Sequence, residues 1–131
     1  MHKRKVFTDK APRPLGPYSQ AIIAGNTVYV AGQGGFDPAS GKLMNGSFEE
    51  EVTRTFENVQ AILEAAGTST DNAVKVNVYL AQADMDHFRA MNEIYKKYFH
   101  EDFPVRTTVG APLLGGIQIE VDCIAVIDEH E

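Results

Sequence analysis

Apolar residues recur along this chain with two different periods, and the changes between them mark out its elements. Phe48, Val52, Phe56, Val59 and Leu63 return every three or four positions, the spacing that lines one face of an α-helix. Ser47 with Glu50 three residues on is a capping-box signature at its start, and Gly67 closes the segment. A second helical stripe joins Phe88, Met91, Tyr95 and Tyr98, and Asp84 or Asp86 can cap it. Asp102, Phe103 and Pro104 end that region.

Elsewhere the period is two. Val74, Val76, Val78 and Leu80 alternate with Lys75, Asn77 and Tyr79, and Ile117, Ile119, Val121, Cys123 and Ala125 share one side of a strand that runs to about Ile127. A further strand begins at Arg106. Ala21–Ala24 and Thr27–Ala31 flank Gly25-Asn26, a hairpin signal, and a third strand is predicted around Gly34–Phe36 before the turn Asp37–Gly41. This order predicts a single α+β domain over 1–131, with two helices covering one face of a mixed sheet. On the other face Lys75, Asn77, Tyr79, Gln118, Glu120 and Asp122 are polar, but Ile124 and Val126 are apolar. Such a divided face suits a wet cavity beside a subunit contact, which predicts an oligomer; burial under a loop is the alternative.

Composition narrows the function classes. The chain has 131 residues, of which 44% are hydrophobic, enough for one continuous core. No stretch approaches the roughly 18 consecutive apolar residues of a membrane span, and the basic start MHKRKVF lacks a signal peptide's apolar segment. The expected compartment is the cytoplasm, or an organelle if a transit segment has been removed. A formal charge of -6 argues against nucleic-acid backbones as partners, and the basic HKRK at residues 2–5 reads as a solvated tail. Cys123 alternates in step with Ile119 and Val121 and reads as a small core residue, with no partner for an intrachain disulfide. His2, His87, His100 and His130 are scattered, so no metal is expected. No GxSxG nucleophile context occurs, and Ala31–Gly35 (AGQGG) matches no phosphate-loop pattern, so it reads as a tight bend or a close backbone approach.

Arg106 and Glu120 remain as candidate chemistry. A guanidinium can hold a planar carboxylate through two parallel hydrogen bonds, and a glutamate can position or deprotonate water. Spacing alone favours the plainer reading, one hairpin carrying a salt bridge in which Glu120 merely neutralises Arg106.

Six stretches in order bear on that choice: GPYSQ at Gly16–Gln20, AGQ at Ala31–Gln33, ENVQAILEAAG at Glu57–Gly67, VKVNVYL at Val74–Leu80, MNEIYKKYF at Met91–Phe99, and PVRTT…IEVD from Pro104 to Asp122. Together they resemble the Rid family of reactive-intermediate deaminases, also called the YjgF or L-PSP endoribonuclease-like family, over nearly the whole chain. The resemblance implies a chorismate-mutase-like fold, a homotrimer with a central barrel, and active sites in clefts between subunits. It also implies cofactor-free hydrolysis of 2-enamine and 2-imine acids such as 2-aminoacrylate to 2-keto acids and ammonia. By position, Arg106 matches the carboxylate-binding arginine, Glu120 the acid assigned to water, and Tyr18 a cleft tyrosine. Thr108 matches a backbone carbonyl that receives the imine N–H, Gly32 a backbone N–H donor, and Asn92 a helix asparagine.

The chain departs from the family pattern at three places. Ala31 stands where many deaminating members have serine, and Gly34-Gly35 replaces an apolar residue and proline, which implies a wider or more mobile cleft wall. The Arg106–Glu120 spacing is one residue shorter than the common one. Pro112 and Gly110-Ala111 oppose a regular hairpin, so an irregular connection is expected from about Gly110 to Gly116; a regular ladder through it with the two side chains on opposite faces would overturn the catalytic assignment. The competing functions are a binding or regulatory module for small 2-keto acids and, with less support, an endoribonuclease.

Overall fold

Ser47 accepts the Glu50 N–H at 3.1 Å while the Glu50 carboxylate accepts the Ser47 N–H at 2.8 Å. This closed capping box starts α1, Phe48–Ala65, whose Val52, Phe56, Val59, Ile62 and Leu63 are fully buried. Helix α2, Met85–Tyr98, is capped by Asp84 and not by Asp86, the Asp84 carboxylate taking the His87 N–H at 2.8 Å. These helices belong to a computed structural model that describes residues 2–100 and 102–127, so His130 lies outside the described residues.

Six strands form one mixed sheet: β1 Lys3–Val6, β2 Ala21–Ala24, β3 Thr27–Gln33, β4 Ala73–Leu80, β5 Val105–Gly110 and β6 Ile119–Val126. Their order across the sheet is β1-β2-β3-β6-β4-β5, antiparallel throughout except for the parallel pair β4–β5. Val28, Val30, Val76, Val78, Ile119, Val121, Cys123 and Ala125 meet both helices in one hydrophobic core. Burial pushes the Cys123 thiol up to about 12, so it behaves as a core residue. On the opposite face Tyr29, Val105 and Val109 remain 48%, 66% and 42% exposed. No loop buries them, and the helices lie on the other side.

Several elements differ from the sequence reading. HKRK is not a tail: Lys3–Val6 pairs antiparallel with β2 as an edge strand, where charged side chains discourage further pairing. Gly34–Phe36 forms only an isolated bridge, Phe36 to Leu43. Its carbonyls are taken by a helix side chain, since the buried Asn58 amide donates to Gly34 O and Phe36 O at 2.9 Å each. Val74 is exposed, because the register shift between Ala73 and Lys75 buries Ala73 in its place. Ile117 is buried but precedes its strand. The largest difference is that β5 and β6 form no hairpin, because β4 lies between them.

Gly35 packs against α1 so tightly that a side chain there would strike Glu51 Cγ, and a Cβ on Gly34 would press on Ile117. Gly34-Gly35 thus packs closely against Ile117 and α1. Glu51 itself is 3% exposed and accepts from both the Gln118 N–H, at 2.7 Å, and the Gln118 side-chain amide, at 3.0 Å. These bonds fasten the entry to β6 two residues before Glu120. Replacing Glu51 with alanine should cost about 2–3 kcal/mol by urea unfolding, the worth of hydrogen bonds to a charged acceptor. Glu51→Gln, which keeps an acceptor and removes the buried charge, should cost less than about 1 kcal/mol.

Candidate active site

A cleft of about 720 Å³ opens between the loop around Pro12–Tyr18, the end of β3, the loop that follows it and the Leu114–Ile117 connection. The first of these loops is held by Gln20, which is 1% exposed. Its amide oxygen accepts the Thr8 N–H, and its NH₂ donates to the carbonyls of Thr8 and Pro12. Tyr18, half exposed, accepts the Leu15 N–H on its hydroxyl at 3.2 Å, which folds the ring back over the loop.

The register of β3 on β6 slips between Val30 and Gln33, so Ala31 and Gly32 bulge out of the ladder beside Glu120. A Cβ at Gly32 would collide with the Glu120 carboxylate. With the Glu120 side chain in this position the approach needs glycine, the close-packing role expected of AGQGG. Burial raises the Glu120 pKa and the neighbouring Asp122 charge raises it further. Asp122 is itself held by the Asn77 amide at 2.8 Å, and with Glu120 it pushes the Tyr79 phenol up, Asp122 more strongly.

Tyr18, Gly32 and Glu120 therefore share one cleft. Arg106, Thr108 and Asn92 do not line it. In the ladders Arg106 lies beside Val76 and Cys123, which face the helices, whereas Glu120 lies beside Tyr79 on the other face. The connection between the two strands is irregular, running through Leu114–Gly116 with positive φ at both Gly115 (78°) and Gly116 (76°). Arg106 and Glu120 nevertheless face opposite sides of the sheet, and the salt-bridged hairpin does not exist. Among the described residues no carboxylate pairs with Arg106.

Arg106 rests instead on aromatic rings of α2. Its guanidinium carbon is 4.6 Å from the centre of Tyr95 and 5.6 Å from that of Phe88. Thr108 follows on the same face of β5, opposite Val78. Asn92 lies between Phe88 and Tyr95 along the helix, and its Oδ1 is buried without a hydrogen bond. Sequence periodicity assigned Tyr95 and Phe88 to the core stripe, and nothing in that pattern marked them as the bed of a cation. Phe36, Leu114 and Ile117 in the cleft wall likewise carried no signal beyond hydrophobicity. Among the described residues no cluster of three or more His, Cys, Asp or Glu could hold a metal ion, and no helix is long and apolar enough to cross a membrane.

Residues 8–127 match the profile of the endoribonuclease L-PSP family. A RutC family protein of Pyrococcus abyssi is 47% identical over 126 residues, covering 95% of this chain and 98% of the relative. The 2-iminobutanoate/2-iminopropanoate deaminase of Homo sapiens is 43% identical over 125 residues, covering 95% of this chain and 90% of its own. Among solved structures, RidA of an Antarctic Psychrobacter superposes with a TM-score of 0.88 at 41% identity, covering 95% of this chain and 99% of that one. TdcF of E. coli, solved with bound serine, gives 0.87 at 31% identity with the same coverages.

The raised Glu120 pKa has a consequence for stability. Between the ordinary value of 4.5 and the raised one, the folded chain keeps a proton that the unfolded chain has released. Stability from this group is thus fully present below the unfolded value and is lost as pH rises through the folded one. Glu120→Gln should therefore be more stable than the wild type at about pH 7 and indistinguishable from it below about pH 4 in paired urea titrations.

Proposed function

Starting from the fact that the chain belongs to the endoribonuclease L-PSP (Rid) family, whose close relatives include deaminases matched along nearly their full length, we propose that it hydrolyses 2-imino acids to 2-keto acids and ammonia. The observation that carries the residue-level reading is the placement of Arg106. It is a cation at the sheet edge, bedded on two rings and paired with no acid among the described residues. A guanidinium so placed is an open fork for a substrate carboxylate.

Glu120 supplies the second half. Its half-buried carboxylate, with affinity for a proton raised by burial and by Asp122, suits it to accept a proton from water as the oxygen adds to C2 of the imine. The C=N bond becomes a C–N single bond in a carbinolamine. Return of that proton to nitrogen completes the carbinolamine; transfer of its hydroxyl proton through Glu120 to nitrogen then breaks the C–N bond, releasing ammonia and leaving the C2 carbonyl, so one water is consumed for each ammonia released. Thr108 and Asn92 would orient the imine N–H from the Arg106 side, and Gly32 and Tyr18 the water from the Glu120 side.

Because the two halves lie on opposite faces of one protomer's sheet, they can form one site only across a contact between copies. A homotrimer, in which the exposed Tyr29, Val105 and Val109 face is covered by neighbouring chains, meets that need. RNA cleavage is disfavoured by the cleft itself, where Arg13 is the one Lys or Arg among the described lining residues.

The test is the decay of 2-aminoacrylate released by a serine dehydratase. Wild-type protein should accelerate it, Arg106→Ala should lower kcat/KM by about a hundredfold or more, and Glu120→Ala should lower kcat by about 10²–10⁴-fold. No acceleration by the wild type would refute the deaminase reading, and full activity in Glu120→Ala would remove its role with water. Binding of pyruvate without turnover would favour the metabolite-binding alternative.

A further inference from the structure

Strand β5 is the outermost strand of the sheet beyond β4, so Arg106 has no strand on its outer side to fix its long side chain. Arginine carries considerable rotamer freedom, and two-point binding of a carboxylate requires the guanidinium in one plane. The rings of α2 supply that restraint. Tyr95, nearer of the two, is 4% exposed and is itself locked, stacked on Phe99 at 4.5 Å with a 28° interplanar angle and set edge-on to Phe56 at 5.8 Å.

The Tyr95 hydroxyl is the other half of the observation. It is buried and makes no hydrogen bond of full geometry. Burial pushes the phenol up to about 12 against the charge of Arg106 and a contact between the hydroxyl and its guanidinium, which falls short of full hydrogen-bond geometry. A contact that misses hydrogen-bond geometry adds little beyond what phenylalanine would supply at this core position. What the position supplies to Arg106 is the ring face.

We propose that Tyr95 is a positioning residue for Arg106, its ring holding the guanidinium in the plane that grips the substrate carboxylate, with the hydroxyl dispensable. The proposal rests on the reading of Arg106 as the carboxylate anchor. The partly buried Phe88 adds a second ring to the bed, its centre 5.6 Å from the guanidinium carbon.

Four variants and one measurement on the unaltered protein test it. Tyr95→Phe keeps the ring and should stay within about twofold of wild-type kcat and KM without a lower Tm. Tyr95→Leu removes the ring and should raise KM about tenfold with a smaller change in kcat. In an Arg106→Ala background, Tyr95→Leu should add no further rise in KM, because its effect passes through the guanidinium. An unchanged KM in folded Tyr95→Leu protein, or an equal rise with and without Arg106, would overturn the proposal. Should Tyr95→Leu fail to fold, the wild type still decides: the NMR signals of the Arg106 δ-methylene and Nε–H should be displaced by the ring current, and ordinary arginine shifts would refute the bed. Wild-type activity in Arg106→Ala alone would instead refute the anchor reading, leaving the NMR result to report on the bed separately.

Discussion

The position of β4 between β5 and β6 is the constraint on which the candidate chemistry depends. It pairs in parallel with β5 and antiparallel with β6, so the two strands that carry Arg106 and Glu120 never touch. Side chains alternate across a strand, and the shared registers place Arg106 with Val76 on the helix face and Glu120 with Tyr79 on the other. Each residue is thereby freed from the other and keeps its own character. One is a cation bedded on rings, and the other is a carboxylate whose proton affinity is raised.

The two surroundings differ in the way the proposed roles require. Arg106 stays charged in any setting, so the protein's contribution is orientation, through flat aromatic support. For Glu120, proposed to exchange a proton with water, the contribution is a pKa raised by burial and by Asp122. Glu51 and Gln20 act further back, fixing the entry to β6 and the loop that bears Tyr18. Both are buried polar residues whose hydrogen bonds end on segments without regular structure, where the ladder offers no partners.

Local signals were legible in the sequence wherever local physics decides the outcome. The α1 capping box and stripe, the α2 stripe and the alternation of β6 appear in the structure because cap geometry and periodic burial need only neighbours in the chain. What escaped was decided at a distance. Lys3–Val6 buries one residue in four, so an edge strand of charged side chains looked like a tail. Asn58 draws Gly34–Phe36 out of a ladder that its composition favours, and the β4–β6 register shift exposes Val74. Candidate site residues were found individually, by chemistry and resemblance. Their division into Tyr18, Gly32 and Glu120 on one side and Arg106, Thr108 and Asn92 on the other depends on strand order, which no local pattern encodes.

That division makes the central claim testable without reference to rates of individual variants. Chains carrying Arg106→Ala and chains carrying Glu120→Ala, each expected to retain about 1% of wild-type activity or less, should be co-expressed and the mixed assemblies assayed for 2-imino acid hydrolysis. If each site joins Arg106 of one copy to Glu120 of the next, random mixing leaves about a quarter of the sites intact, and activity should return to about that fraction of the wild type. Mixed assemblies that remain as inactive as either parent would contradict a site shared between copies.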